Sequence, residues 1–394
     1  MIYLDHSATT PVDEDILKTM LPYFGVRFGN ASSIHNFGQR ARSAVEKSRE
    51  TIAEFINASP EEIIFTSGGT ESDNLAIRGI ATAAKSTKPH IITSKIEHHA
   101  VLNTIKSLEK EGKVEVTYSP VDRGGVVRLP DLKKAIRDNT ALVSIMFANN
   151  EVGTIEPIAK IGEMLTEINR QREEMKLPKI YFHTDAVQAA GYLKPDIKKL
   201  GIDLLTLTAH KIYGPKGTGI LFVKKGTSLK PEITGGEQEN GLRAGTENVP
   251  GIVAIAAAIA KIKNQKSKIK EINKLRDKLE RELEKIIPNI IINGDLDNRL
   301  PNISNISFPG AEAESILMML DQEGIAASSG SACTSASLEP SHVLLAMGID
   351  HLVANTTIRF SLGKDNTEKE IDRLIQILPN IIKKLRKISG KNYE

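Results

Sequence analysis

The sequence predicts an α/β protein with a large domain, built on a mostly parallel sheet, and a smaller α+β domain after it. Three observations support this fold class. Apolar, β-branched runs alternate with helix-length segments over residues 62–223, the alternation stops at Val249-Pro250-Gly251, and a long helical tract follows. The length of 394 residues also exceeds one compact core, since a domain holds roughly 150 residues.

Seven short apolar runs predict the strands of the large domain. They cover residues 63–66, 90–93, 114–118, 142–146, 180–183, 204–207 and 219–223. Helix-length segments such as 100–111 and 158–174 separate several of these runs. This order is typical of βαβ units, in which helices connect parallel strands.

The second domain begins with the helical tract at residues 252–287, whose later part alternates lysine and glutamate with apolar residues at helical spacing. Interleaved charges of both signs are typical of a solvated helix face. A strand near 303–308 and a closing helix at 368–388 complete this domain. We predict a large domain over residues 14–258, and a small domain from residues 1–13 and 259–394 that carries a cysteine loop at about 326–338.

The composition excludes several classes of protein. Lysine and arginine total 52 against 49 aspartate and glutamate, and tryptophan is absent, so we expect no nucleic-acid partner. The longest apolar run, near residues 252–260, is far shorter than the ~20 residues that cross a bilayer, so we expect no membrane span. The N-terminus shows no basic leader, and one cysteine forms no intrachain disulfide. We therefore expect a cytoplasmic enzyme.

Two glycine-containing loops are candidates for binding phosphate. Residues 67–71 (SGGTE) follow a predicted strand and open a helix, where free backbone N–H groups and the helix dipole favour an anion. A plain capping turn is the alternative for this loop. Residues 214–219 (GPKGTG) also resemble a phosphate loop, but they lead into a strand, which favours a tight turn.

Polar residues follow two other strands, at the edge where open α/β sheets bind ligands. Asp185 needs a partner if it is buried, and that partner is either a cationic ring nitrogen or a structural cap. A metal site that Asp185 shares with His183 is another alternative, but no metal-binding helix motif or cysteine pair supports it, and we expect no resident metal. Lys211, at a strand end, suits a Schiff-base amine, and a surface lysine is the ordinary alternative.

The remaining candidates are two histidines and the single cysteine. His98 and His99 precede a helix, and because adjacent residues point in different directions we expect at most one of them to face the sheet edge. Cys333 lies among small polar residues in SSGSACTSAS (328–337), a composition typical of an exposed, mobile loop. A thiol in such a loop is accessible for chemistry, whereas a buried and inert cysteine is the alternative.

Together, a lysine, an acid, a histidine and a phosphate loop at successive strand ends match the needs of pyridoxal phosphate. The sequence resembles the NifS/IscS-type cysteine desulfurases, pyridoxal-phosphate enzymes of the aminotransferase class V family with fold type I. The similarity runs from YLDHSATTP (3–11) to IRFSLG (358–363), and residues 66–74, 209–217, 241–246 and 328–339 are its most specific stretches. Ala31 and Glu237 depart from the usual family pattern.

The resemblance implies roles for individual residues. Lys211 would hold the cofactor as a Schiff base, Asp185 would pair with its ring nitrogen, and His98 would stack on the ring and act in catalysis. The implied cofactor ligands, including those of the phosphate, are Gly69, Thr70, His98, Asn150, Asp185, Gln188, Thr208, His210, Lys211 and Thr246. Thr246 would come from the second subunit of a homodimer. Asn150 and Arg359 would orient the substrate, assisted by Asn30.

The implied activity is conversion of L-cysteine to L-alanine. Cys333 would attack the substrate sulfur, hold it as a persulfide and pass it to an acceptor protein, such as an iron–sulfur scaffold, or to a tRNA-thiolation relay. Cys333 would ligate iron–sulfur species at most during transfer. A selenocysteine lyase or an aminotransferase on the same fold is the alternative, and a non-catalytic binding protein is a more distant one.

Overall fold

The computed structural model describes residues 1–263, 265–329 and 340–390. Its helices are α1 (Glu14–Met20), α2 (Asn36–Ile56), α3 (Gly69–Ala83), α4 (His99–Lys110), α5 (Leu129–Ala135), α6 (Ile158–Glu174), α7 (Ile197–Leu200), α8 (Val249–Ile262), α9 (Lys266–Ile286), α10 (Ala313–Gln322), α11 (His342–Ala346), α12 (His351–Ala354) and α13 (Glu368–Ile388). In this part of the chain, no helix is both long and apolar enough to cross a membrane.

The strands are β1 (Ile2–Tyr3), β2 (Ile63–Thr66), β3 (His90–Ser94), β4 (Glu115–Ser119), β5 (Thr140–Ser144), β6 (Tyr181–Asp185), β7 (Leu204–Thr208), β8 (Gly219–Val223), β9 (Ile291–Asn293), β10 (Ile303–Ser307), β11 (Ile325–Ala326), β12 (Ser328–Ser329) and β13 (Thr357–Ser361). All seven strands predicted for the large domain occur. The clearest shift is that of β5, which begins and ends two residues before the predicted run.

Strands β2 to β8 form a seven-stranded sheet in the order β2-β8-β7-β6-β5-β3-β4, counted over the described residues. Strands β3 to β7 pair in parallel, and β8 runs antiparallel to both of its neighbours. The predicted mostly parallel sheet is therefore confirmed. Because the parallel strands share one direction, the residues that follow β6 and β7 emerge at the same edge of the sheet.

Helices cover both faces of this sheet, and its strands are accordingly apolar on both sides. Strand β8 shows the arrangement, since Ile220 and Phe222 enter one hydrophobic cluster with helices α2 and α8, while Leu221 enters another with α3 and α4. Successive side chains of a strand point to opposite faces, so this alternation is the expected one. The two clusters hold the sheet rigid beneath its ligand-binding edge.

A second, four-stranded antiparallel sheet has the order β12-β13-β10-β9 within the described residues. Helices α9 and α13 pack on it around a separate cluster that includes Phe308 and Phe360. The helical tract predicted at 252–287 is two helices, α8 and α9, and α8 belongs to the cluster of the large sheet. The division into domains at residues 13 and 258 stays a prediction.

Candidate active site

A cavity of about 290 Å³ opens at the carboxyl edge of the large sheet. The predicted site residues that line it are Gly69, Thr70, His98, Asn150, Asp185, Gln188, Thr208, His210, Lys211 and Arg359. These residues come from distant parts of the chain, and the parallel sheet brings most of them together. Arg359 reaches the cavity from β13 of the small sheet.

Two of the described predicted residues, Asn30 and Thr246, do not line this cavity. Asn30 is exposed, and its side chain accepts a hydrogen bond from the Ser32 N–H at 2.9 Å. Thr246 is also exposed and lines a separate cavity that includes Ser67. Cys333 lies outside the described residues, so its predicted role is not tested by the geometry.

Lys211 ends a short 3₁₀ turn, Ala209–Lys211, that directly follows β7. Its Nζ donates to the backbone carbonyls of Ser7 and Ala8, the latter at 2.8 Å. Gln188 Nε2 donates to the same Ser7 carbonyl at 2.9 Å. The N-terminal segment therefore holds the Lys211 amine at the wall of the cavity, where a carbonyl compound that enters could reach it.

Asp185 is the last residue of β6 and is buried. Burial raises the pKa of its carboxyl above the usual range, while the hydrogen bond from Val187 N–H and the charge of Lys211 lower it. The bond from Val187 N–H measures 2.9 Å. A buried carboxylate of this kind is stabilised by a cation, and a protonated ring nitrogen in the cavity would supply one.

The loop at 67–71 turns directly into α3, so the backbone N–H groups of the first turn of the helix meet the cavity at Gly69 and Thr70. Gly219 allows this loop to pack closely against β8, because a Cβ there would lie 2.7 Å from the backbone of Gly68. Lys216 and Gly217, in the second glycine-containing loop, line a shallow depression beside Thr70 and His210. The N-terminus of α3, the Thr70 hydroxyl and Lys216 are groups that would suit an anion.

Both His98 and His99 line the cavity, so the expectation that at most one would do so is wrong. His98 is the N-cap of α4 with extended backbone, whereas His99 is the first helical residue, and this change of conformation turns both rings to the same side. His98 Nδ1 accepts from Ala100 N–H at 3.1 Å. Burial lowers the pKa of His98 to about 4, helped by Lys211, His99 and His342.

Arg359 is buried and is fixed from two sides. Its Nη2 donates to Asp5 Oδ1 at 2.8 Å, and its Nη1 donates to the backbone carbonyl of Asn150 at 3.0 Å. A guanidinium held in this way presents a planar set of donors, which suits a carboxylate.

Several residues of the cavity were not predicted from the sequence. They are Asp73, Glu151 and His342, with Ser7, Ala8, Met146, Ala148 and Val187. Asp73 Oδ1 has no hydrogen-bond partner among the described residues, and burial, together with the charge of Asp185, raises the pKa of Asp73 well above its usual value. Asp73 follows the predicted phosphate loop by only a few residues, but it stands between the polar residues Ser72 and Asn74, so no local pattern marked it as a cavity residue.

The metal alternative for His183 finds no support in the hydrogen bonds of its ring. Its Nδ1 lies 2.8 Å from Ser144 Oγ, and its Nε2 lies 3.1 Å from Thr206 Oγ1. Across the described ranges, no group of three or more histidine, cysteine or acidic side chains is placed to hold a metal ion. The ring nitrogens of His183 are thus engaged by hydroxyl groups of neighbouring strands.

A family model described as aminotransferase class-V matches residues 2–374. This match spans nearly the whole chain, and the chain belongs to the aminotransferase class-V family.

Individual relatives are similar over the same length. A protein of Dictyoglomus turgidum named cysteine desulfurase IscS is 50% identical, covering 100% of this chain and 97% of its own. A solved structure described as a NifS-like protein has a TM-score of 0.87 at 39% identity and covers 99% of each chain. Another, described as SspA in complex with cysteine, has a TM-score of 0.81 at 36% identity, covering 93% of this chain and 100% of that one.

The residues of the cavity fit pyridoxal phosphate, the cofactor of this class of enzyme. The Lys211 amine would bind its aldehyde carbon, and Asp185 is a buried acid for the ring nitrogen. The N-terminus of α3, with Thr208 and His210, would supply donors for the phosphate. His98 would lie against the ring.

Proposed function

We propose that this protein is a pyridoxal-phosphate-dependent cysteine desulfurase that converts L-cysteine to L-alanine and holds the sulfur as a persulfide on Cys333. The observation that carries this proposal is the meeting of Lys211, Asp185 and Arg359 in one cavity. These three side chains supply an amine, an acid and a carboxylate-binding guanidinium. The similarity to proteins named cysteine desulfurase over the whole chain supports the same activity.

Different side chains of the cavity bind the substrate and transfer its protons. Arg359 binds the substrate carboxylate through paired donors, and Asn150 lies beside it. The Lys211 amine would remove the proton from the substrate Cα and return a proton later in the reaction. Pyridoxal phosphate, when bound, supplies the electron sink for this step. Asp185 keeps the ring nitrogen protonated, which maintains that sink.

Sulfur transfer requires a thiolate, and Cys333 is the single cysteine of the chain. Its thiolate attacks the substrate sulfur, so that a sulfur–sulfur bond forms while the carbon–sulfur bond breaks. The bonding electrons stay with the carbon fragment, which takes up a proton and leaves as alanine. The sulfur then passes from Cys333 to an acceptor protein such as an iron–sulfur scaffold, in the cytoplasm.

A homodimer is part of this proposal. Apolar side chains are exposed along the segment before α2 and in the first turn of α2, namely Phe24, Val26, Phe28, Ile34 and Phe37, with Ile34 93% exposed. The rings of Phe28 and Phe37 lie 5.6 Å apart, so they form a continuous surface. A patch of this kind on a folded protein supports an interface, and a second copy of the chain would cover it. The exposed Thr246 would then complete the phosphate site of the partner.

Sedimentation and light scattering test the dimer. Ile34→Asp should shift the protein to monomers and lower its affinity for pyridoxal phosphate, whereas Ile388→Asp, which changes an exposed residue at the end of α13, should leave the dimer intact. A wild-type protein that is monomeric and fully active at the same concentration would exclude the homodimer.

Assaying alanine and sulfide together tests the activity. Wild-type enzyme with L-cysteine and a reductant should release the two products in equal amounts without an added keto acid, which distinguishes it from an aminotransferase. Cys333→Ser should bind the cofactor yet lose most sulfide release. An undiminished rate in Cys333→Ser would instead favour a lyase that does not use this thiol, such as a selenocysteine lyase.

A further inference from the structure

Two histidines that have no role in the steps above meet at the wall of the active-site cavity. The ring centroids of His99 and His342 lie 4.8 Å apart, and both residues line the cavity together with Lys211 and Arg359. His99 begins α4, and His342 begins α11. The fold thus brings together two helix starts that are distant in the sequence, next to the place where Arg359 would hold the substrate.

The hydrogen bond of the His342 ring defines which of its two nitrogens carries the proton. Nε2 lies 3.0 Å from the backbone carbonyl oxygen of Glu97, and because a carbonyl oxygen only accepts, Nε2 must donate. Burial lowers the pKa of His342 below its usual 6.5, so the ring is neutral at pH 7. In this tautomer Nδ1 carries a lone pair and is an acceptor. Within the described ranges no hydrogen bond to Nδ1 occurs.

The groups around His342 favour this neutral state. His98, His99 and Lys106, all on or next to the first turns of α4, oppose a positive charge on the ring. The position of His342 is fixed as well, because the preceding residue, Ser341, donates through its Oγ to the buried carboxyl of Glu151 at 2.5 Å and so holds the start of α11. His342 is therefore a rigidly placed, uncharged acceptor at the cavity wall.

We propose that His342 Nδ1 accepts the S–H group of bound L-cysteine, orients its sulfur and takes its proton as the carbon–sulfur bond breaks; this inference rests on the proposed function. The electron pair of the S–H bond stays on sulfur, which leaves the persulfide as an anion, and His342 becomes an imidazolium. His99 acts as a positioning residue that holds the ring of His342. The step needs no oxidant or reductant.

A pair of ligands tests this role in a Cys333→Ser background, in which sulfur transfer is blocked. L-2-Aminobutyrate matches L-cysteine in shape but has a methyl group in place of the thiol. Binding of each ligand is measured from the absorbance change of the cofactor. His342→Phe should weaken the binding of L-cysteine about three- to tenfold, the range of one hydrogen bond, and leave L-2-aminobutyrate unchanged. His351→Phe, at an exposed histidine on α12, is the matched control.

Equal weakening of both ligands, or of neither, would overturn the proposal. Nitrogen-15 NMR of histidine in the Cys333→Ser protein gives an independent measurement if His342→Phe fails to fold. The Nδ1 resonance of His342 should move when L-cysteine binds and stay in place with L-2-aminobutyrate, and an unmoved resonance with both would refute the role. Failure of the wild-type enzyme to make alanine would refute the proposed function instead, so the two failures are distinguishable.

Discussion

Buried charges in this protein fall into two groups with different surroundings. Glu280 and Arg299, between α9 and the strand region that follows it, form a bidentate pair with contacts of 2.7 and 2.6 Å and side chains only 7% and 6% exposed. In the active-site region, Asp73, Glu97 and Asp185 are equally buried, yet burial raises the pKa of each. The first group forms a complete ion pair within the fold, whereas in the second group burial outweighs the neighbouring favourable interactions, such as the charge of Lys211 near Asp185.

This difference indicates what each group does. A buried ion pair that is complete contributes to the stability of one conformation, and removing one partner leaves a costly unpaired charge. A buried carboxyl group that lacks such a complete ion pair lowers the stability of the fold. Groups of this kind are typical of functional sites, where a bound ligand can supply the missing partner. We therefore expect changes to Lys211 and Asp185, which line the cavity, to affect activity with little effect on stability, and changes in the Glu280 pair to do the reverse.

Lys211→Ala should produce the largest effect. Without the amine, the enzyme loses both its covalent attachment to the cofactor and its proton carrier, so alanine formation should fall by at least about 10⁴-fold. The fold should persist, because the hydrogen bonds from Lys211 Nζ to the backbone carbonyls of Ser7 and Ala8 lie at the wall of the cavity and not in a hydrophobic cluster. The exposed Lys225→Ala is the control. Wild-type turnover in Lys211→Ala would show that another residue holds the cofactor.

Asp185→Asn should reduce turnover by about 10²-fold or more, because a neutral amide no longer keeps the ring nitrogen protonated. The absorbance spectrum of the bound cofactor should change as well. Asp203→Asn is the matched control at the opposite end of the sheet, where Asp203 accepts from Lys179 at 2.7 Å. That variant should lose stability and keep its activity. Unchanged kinetics in Asp185→Asn, at full cofactor occupancy, would argue against the pairing.

Glu280→Ala should destabilise the protein by about 3–5 kcal/mol, because it leaves Arg299 buried without its partner. Once the loss of folded protein is corrected for, turnover should match wild type. Glu282→Ala removes ion pairs to the exposed Arg281 and Lys285 on the same helix and should leave the urea midpoint nearly unchanged. A large loss of specific activity in Glu280→Ala would contradict the separation between the two groups.

Glu97→Gln should stabilise the protein at alkaline pH. Burial raises the pKa of Glu97 to about 8, so the folded state holds a proton that the unfolded chain releases above its ordinary pKa of 4.5. Folding must take up this proton, and wild-type stability is therefore lost as the pH rises from 4.5 towards 8. Glutamine avoids the cost, and we expect a gain of about 1–3 kcal/mol at pH 8.

Urea unfolding at two values of pH checks this prediction. Glu97 Oε1 accepts from Ser94 Oγ at 2.6 Å and from Met146 N–H at 3.0 Å, and the carbonyl oxygen of glutamine preserves both bonds. The gain should disappear as the pH falls towards 4.5, the ordinary pKa of the group. A gain of the same size at both values would show that titration of Glu97 is not its cause.

The sequence predicted the fold well because β-branched runs and intervening helices carry local signals. Residues 204–207 and 219–223, for example, coincide closely with β7 and β8. Asp185 and Lys211 were accessible to the same reasoning, since Asp185 ends β6 and Lys211 lies three residues after the end of β7. The family resemblance contributed Arg359, which no local pattern distinguishes from an ordinary strand residue.

The rest of the site depends on contacts between distant segments. His342 contacts the carbonyl of Glu97, and Ser341 contacts Glu151, so neither role follows from the residues beside them in the sequence. His98 and His99 both line the cavity because the backbone changes from extended at His98 to helical at His99, where α4 begins. Burial raises the pKa of Asp73, but the sequence around a polar residue on a predicted helix does not show whether that residue is buried.

Mass spectrometry of the peptide that carries Cys333, after brief exposure of the holoenzyme to L-cysteine, tests the central claim most directly. The desulfurase mechanism predicts one additional sulfur atom on this peptide, formed together with one alanine and removable by a reductant. Lys211→Ala treated in the same way should gain none. Because the chain has a single cysteine, no other thiol of the protein could take its place. Alanine released by the wild-type enzyme, with Cys333 unmodified at every time of quenching, would contradict the mechanism.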